Sequence, residues 1–168
     1  MTPASKFAIL GVSERFDLAG EELERRFREL SLKLHPDRFA RAPAAERVAA
    51  LSKARDLNDA YRTLRSAPLR AEHLLELAGK PLVDGEEVAQ AFLVEILELR
   101  ESLAEARAAG DQPRLAALGT EVGARRDAAL ERLPGLFAAG KLDEAKAELV
   151  SLRYFQRFLD EHAGKEAD

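Results

Sequence analysis

The stretch Leu34-His35-Pro36-Asp37-Arg38-Phe39 decides how this 168-residue chain is read. Before it lies a charged amphipathic run with Leu23, Phe27, Leu30 and Leu34 at helical spacing. After it comes a second helical run that closes with Leu57-Asn58-Asp59-Ala60-Tyr61-Arg62-Thr63-Leu64. Proline biases the residue before it away from the helical region, so Pro36 ends the first helix near Leu34. His35, Pro36 and Asp37 are then presented between two helices with little conformational freedom left to lose on binding. An imidazole and a carboxylate held this way can hydrogen-bond a partner and favour one of its conformations. Acid–base catalysis is a poorer reading, because no activated nucleophile, second carboxylate pair or metal set accompanies them. A proline helix stop with a capping aspartate is the plain structural alternative.

Working outward, the pattern predicts a short helix from Lys6 to Leu10, ended by Gly11 in the left-handed conformation. A long helix follows over about Glu21 to Leu34, with Glu21, Glu22 and Glu24 at the positive end of its dipole. A third helix spans about Ala45 to Arg65, Pro68 breaks the chain, and a fourth segment runs from Leu69 to Leu77. Residues 79–85 contain two glycines and a proline without sustained periodicity and read as a linker, dividing a domain over 1–78 from one over 86–168. In the second, helices are expected at about 86–109, 113–133 and 141–162. Gly110-Asp111 forms one turn, and Pro134-Gly135 and Gly140 bracket the other, with Leu136 and Phe137 packing between them. Three antiparallel helices with short connections make a small bundle.

Composition agrees with an all-α fold: Ala, Leu, Glu and Arg dominate, and alternating β-branched runs are scarce. Cysteine is absent, which excludes a disulfide, a thiolate zinc site, a catalytic thiol and a cluster held by the chain's own thiolates. His35, His73 and His162 lack metal-ligand spacing, so neither metal nor other cofactor is expected. No apolar run approaches membrane-spanning length and no leader pattern opens the chain, which reads as a cytoplasmic, unprocessed protein. Residues 1–79 hold 14 Lys/Arg against 12 Asp/Glu, whereas residues 80–168 hold 12 against 18. Opposite signs suggest two surfaces for two partners, and the weakly basic half argues against nucleic-acid binding. Ordinary surface solvation would give the same balance.

The helix beginning near Glu86 carries more apolar residues than a bundle core needs. Val88, Phe92, Ile96, Leu99 and Leu103 fall on one stripe, assigned to the core. Leu93, Leu97 and Val94 step progressively away from it, toward the face holding Glu98, Glu101 and Glu105. An exposed apolar strip edged by carboxylates suits protein contact. Packing against the preceding domain explains Leu93 and Leu97 equally well from periodicity alone.

The His-Pro-Asp turn between two such helices resembles the J-domain, the module that activates a DnaK-class chaperone ATPase. Leu34 stands where that family often has an aromatic residue. The resemblance implies that the helix before the turn offers a basic face to the chaperone, with Arg25, Arg26 and Lys33 as candidates beside His35, Pro36 and Asp37. Pairing of Glu22 with Arg26 along the helix is the structural alternative. Over nearly the whole chain the similarity is more specific. Ala91-Phe92-Leu93-Val94-Glu95-Ile96-Leu97-Glu98-Leu99-Arg100-Glu101, Leu152-Arg153-Tyr154-Phe155-Gln156-Arg157-Phe158-Leu159, Phe39 and the 67–75 segment resemble the HscB family, J-type co-chaperones of iron–sulfur cluster assembly.

That resemblance implies an L-shaped arrangement of a J-domain and a C-terminal three-helix bundle, with partners of two kinds: an HscA/DnaK-type chaperone ATPase and an IscU-type scaffold. By position, the scaffold-binding residues are Leu93, Val94, Leu97, Glu98, Glu101, Glu105 and Tyr154, with Val94 replacing a longer side chain common there. Lacking cysteine and opening directly on the J-domain, the chain resembles the bacterial form. The implied role is non-enzymatic: to stimulate the chaperone and deliver the scaffold to it. A J-protein recruiting a different client is the alternative.

Overall fold

The computed structural model describes residues 5–165; the first four and last three residues, the ends of the two expected domains, lie outside the described residues. Seven α-helices account for most of it: α1 (Lys6–Leu10), α2 (Gly20–Lys33), α3 (Ala44–Arg65), α4 (Ala67–Leu77), α5 (Gln90–Ala109), α6 (Gln112–Ala138) and α7 (Leu142–His162). A 3-10 turn over Pro36–Phe39 separates α2 from α3, and no strand occurs among the described residues. The chain divides into two compact units between Pro81 and Leu82.

The first unit closes around Phe7, Leu10, Leu18, Leu23, Leu57, Ala60 and Leu64. A five-residue helix has little stability of its own, so α1 is fixed by its ends and its neighbours. Ser5 Oγ accepts the Ala8 N–H, and Gly11 closes the helix at φ 65°. From α1, Lys6 Nζ donates to Asp59 Oδ2 at 2.5 Å and to Thr63 Oγ1 at 3.0 Å, tying α1 to α3. His73, buried on α4, accepts the Lys6 N–H at its Nε2 (3.0 Å). Its Nδ1 therefore carries the proton and donates to Glu76 at 3.1 Å. The ring stacks on Phe7 at 5.8 Å, so this histidine serves the core.

Pro68 does not break the chain. The break is the single extended residue Ser66, and Pro68 lies in the first turn of α4. There its missing N–H is one of the donors that a helix start leaves unpaired anyway.

The second unit packs α5, α6 and α7 around Ile96, Leu99, Leu103, Ala106, Leu118, Val122, Phe155 and Phe158. Two expectations need correction. Helix α5 starts at Gln90 rather than 86, so Val88 precedes the helix and is half-buried. Glu86 instead accepts the Val83 N–H at 2.9 Å and pairs with Lys146 of α7 at 2.6 Å. The Lys146 hydrogen bond, then the Val83 N–H, hold its carboxyl below the usual range. Helix α6 also runs through Pro134 and Gly135 to Ala138 instead of turning there. Proline removes one backbone bond within a helix, but Leu133 is buried and Leu136 and Phe137 half-buried, so packing on both sides of Pro134 holds the helix.

On α7, His162 Nε2 donates to the Leu115 carbonyl at 2.8 Å. The imidazole lies so close to Gly119 that a Cβ there would fall 2.9 Å from its Cε1, which accounts for glycine in the middle of α6. His73 and His162 are thus both committed to packing.

Hydrogen bonds from Lys6 first and Arg62 second hold the Asp59 carboxyl below its ordinary value of 3.8. A carboxyl lowered in the folded state adds stability above its unfolded pKa and loses it as pH falls through the folded value. Asp59→Asn is expected to lower the urea midpoint near neutral pH. The gap from wild type should narrow as pH falls below the ordinary carboxyl value of 3.8; urea titrations at neutral and acid pH check it.

Candidate functional site

The His-Pro-Asp turn is built by its neighbours. Helix α2 ends at Leu34, His35 is extended (φ −59°, ψ 134°), and Pro36 begins the 3-10 turn. His35 Nδ1 accepts the Asp37 N–H at 3.4 Å, and the Arg38 N–H closes the turn on the His35 carbonyl at 3.0 Å. With Nδ1 accepting, the imidazole proton sits on Nε2, the nitrogen not used by the turn. The Asp37 carboxylate is 91% exposed and lies 3.5 Å from His35 Nδ1. The site thus displays one acceptor group and one ring donor on a short proline-stiffened turn. Sequence reading anticipated a plain loop; the 3-10 turn and the His35 contact to the Asp37 N–H are additions.

The helix leading into the turn is held on α3 by a Phe27–Tyr61 stack, centroids 4.2 Å apart and planes at 12°. Its basic residues differ in kind. Arg25 is 62% exposed and pairs with Glu29 at 3.1 Å. Arg26 is 33% exposed and folded inward. Its Nε donates to the Leu10 carbonyl at 3.2 Å, Nη2 to the Gly11 carbonyl at 3.4 Å, and Nη1 pairs with Glu29 at 3.2 Å. A cation on the last carbonyls of α1 is favourable both as a hydrogen-bond donor and against the helix dipole.

Gly11 matters here twice, since a Cβ at that position would strike the Arg26 guanidinium. The alternative Glu22–Arg26 pairing gives way to Glu29 because Arg26 turns toward α1. Lys33 and Arg38 are exposed near the turn. Arg38, adjacent to Asp37, is a further basic residue beside the turn, outside the candidate set.

On α5 the phase of the apolar residues is as expected. Ile96, Leu99 and Leu103 are buried, whereas Leu93, Val94 and Leu97 are exposed to 36%, 46% and 59%. Leu93, Leu97 and Tyr154 come together with Ile96, Arg100, Arg157 and Phe158 around a groove of about 230 Å³. Tyr154 is set there by an edge-on contact with Phe92 at 5.6 Å, and Phe92 in turn meets Phe155 at 5.6 Å. Val94, Glu98 and Glu101 lie outside the groove on α5 and are exposed. Glu105 is two turns beyond Glu98, about 10 Å along the helix, and pairs with Arg114 at 2.9 Å. Arg100 and Arg157 are missing from the sequence-derived set, although each is three residues from a member of it, Leu97 and Tyr154.

No group of three or more potential ligands could hold a metal ion among the described residues, and none of their helices is long and apolar enough to cross a membrane.

The fold and the turn define a J-domain protein with an additional helical unit, and comparison with known proteins identifies both parts. The DnaJ domain model matches residues 5–73, and the HSCB C-terminal oligomerisation domain model matches residues 88–162. A co-chaperone protein HscB homolog of Vibrio cholerae serotype O1 is 34% identical over 158 residues, 92% of each chain. One from Ralstonia nicotianae is 38% identical over 146 residues, 86% of this chain and 83% of the other. Among solved structures, chaperone HscB from Vibrio cholerae superimposes with a TM-score of 0.83 at 33% identity, covering 95% of this chain and 96% of that one. Human co-chaperone HscB gives 0.86 at 25% identity, covering 97% and 82%. The chain belongs to the HscB co-chaperone family.

The two arginines separate by experiment. Removing a partly buried, charge-assisted donor costs about 1–2 kcal/mol, and loss of an exposed i,i+4 pair no more than about 0.5 kcal/mol. Arg26→Ala is therefore expected to lower the stability of the first unit by about 1 kcal/mol and Arg25→Ala to leave it nearly unchanged, as read by chemical denaturation.

Proposed function

We propose that this protein activates an HscA/DnaK-type chaperone through the His-Pro-Asp turn and delivers to it an IscU-type scaffold held on α5 and α7, during iron–sulfur cluster assembly. Residues 1–78 carry the activating surface and residues 86–168 the scaffold-binding one, joined by 79–85. The observation that carries the delivery role is the exposed strip Leu93, Val94 and Leu97 beside a groove whose aromatic wall, Tyr154, is already set. Three adjacent aliphatic side chains left in water on a helix with a well-filled core face support a surface kept for a protein partner.

The reading at the turn is that Asp37 and His35 engage charged and polar groups of the ATPase, with Arg25, Lys33 and Arg38 adding a favourable field for an acidic surface. Arg26 supports this face through its hold on α1. The effect on hydrolysis comes from binding one conformation of the chaperone more tightly than the other. The protein performs no chemistry itself. Both contacts must release in each cycle, so affinities in the micromolar range, on the order of 8 kcal/mol, fit the role.

His35→Gln or Asp37→Asn should abolish stimulation of chaperone ATP hydrolysis with the helical circular-dichroism signal intact, since both side chains are exposed. Normal stimulation by either variant excludes the turn from the mechanism. Leu97→Ala combined with Glu101→Ala should weaken scaffold binding by at least about tenfold, measured by calorimetric titration. An unchanged titration would move those residues out of the interface.

A further inference from the structure

The groove on the second unit has cationic groups at its lip that differ in their state. Arg100 is spoken for: its Nε and Nη2 both lie 2.9 Å from Glu161 Oε2. Arg157 is exposed and lines the same groove, one turn past Tyr154 and next to Phe158. The carboxylates three and four residues ahead on its own helix, where an arginine ordinarily finds a partner, are both engaged. Asp160 accepts from Gln156 at 3.1 Å, and Glu161 holds Arg100. Arg153, one turn back, adds a like charge.

On its other side Arg157 borders a small cleft with Asp84 and Glu86, but Glu86 is bound to Lys146 at 2.6 Å. Neither Asp84 nor any other described carboxylate forms an ion pair with Arg157.

An unpaired guanidinium beside an apolar groove matches a partner that brings a carboxylate together with an apolar side chain. We propose that Arg157 is a specificity-determining residue for the scaffold: it receives an Asp or Glu side chain next to the scaffold's apolar contact in the groove. A basic group of the scaffold then falls toward Glu98 and Glu101 on α5. This rests on the reading that the groove holds the scaffold. Opposite charges on α5 and α7 fix which way round the partner lies, because the reversed placement sets like charges together. The planar fork of arginine suits a carboxylate, and paired that way it gives direction as well as attraction.

The test is a titration of the purified IscU-type scaffold into the full chain and its Arg157→Gln, Arg157→Glu and Arg157→Lys variants, at low and high salt. At low salt, Arg157→Gln should weaken binding by about threefold and Arg157→Glu by about tenfold or more, with Arg157→Lys between wild type and Arg157→Gln because it keeps the charge and loses the fork. Near 0.5 M salt the losses should shrink to about twofold, because an exposed pair is screened there. Arg157→Glu binding within about twofold of wild type at low salt overturns the proposal, as does a loss that salt leaves unchanged, which marks a packing effect. Absence of binding by wild type removes the scaffold reading itself, a different result from loss confined to the variants.

Discussion

The display of the His-Pro-Asp turn depends on the packing of α2 against α3. A four-residue 3-10 turn has no stability of its own, and its three key side chains are all exposed. Its shape is imposed by the helices on either side. Leu23 of α2 and Leu57, Ala60 and Leu64 of α3 are buried in one cluster, and Phe27 stacks on Tyr61 above it. Fully burying an aliphatic side chain contributes about 1.5–3 kcal/mol. These contacts therefore outweigh the modest entropic cost of fixing a turn already stiffened by Pro36.

The charged residues fall into two groups, those used within the fold and those left available. Lys6, Asp59, Arg26, Glu86 and Lys146 connect segments distant in sequence, and each is at least half-buried or held by two partners. Asp37, Lys33, Arg38, Glu98, Glu101 and Arg157 are exposed. Exposed pairs contribute little to stability, so the folded state constrains these positions weakly and leaves them open to the demands of partners. On the second unit the exposed aliphatic strip follows the same logic: the core stripe of α5 is complete without Leu93, Val94 and Leu97.

Much of this was legible in the sequence because the helices follow a single period. Phe27, Leu30 and Leu34 before the turn, and the phase that places Leu93 and Leu97 off the core stripe, follow from 3.6 residues per turn. What escaped depends on contacts between segments far apart in the chain. The Glu86–Lys146 pair, which accompanies the later start of α5, spans 60 residues. The burial of Leu133, which carries α6 past Pro134, is tertiary. Arg26 had a reasonable partner one turn away in Glu22, but the open carbonyls of Leu10 and Gly11 draw it toward α1. That Arg157 has no ion-pair partner among the described residues could be known only once Asp160 and Glu161 were seen bound elsewhere.

The central claim is that one chain joins chaperone activation to scaffold delivery. Steady-state ATP hydrolysis by the cognate HscA-type chaperone, measured with this protein in the presence and absence of the scaffold, tests it most directly. The account predicts stimulation by the protein and scaffold together that exceeds the sum of their separate effects. Stimulation indifferent to the scaffold would contradict delivery, and no stimulation at all would contradict the functional account as a whole.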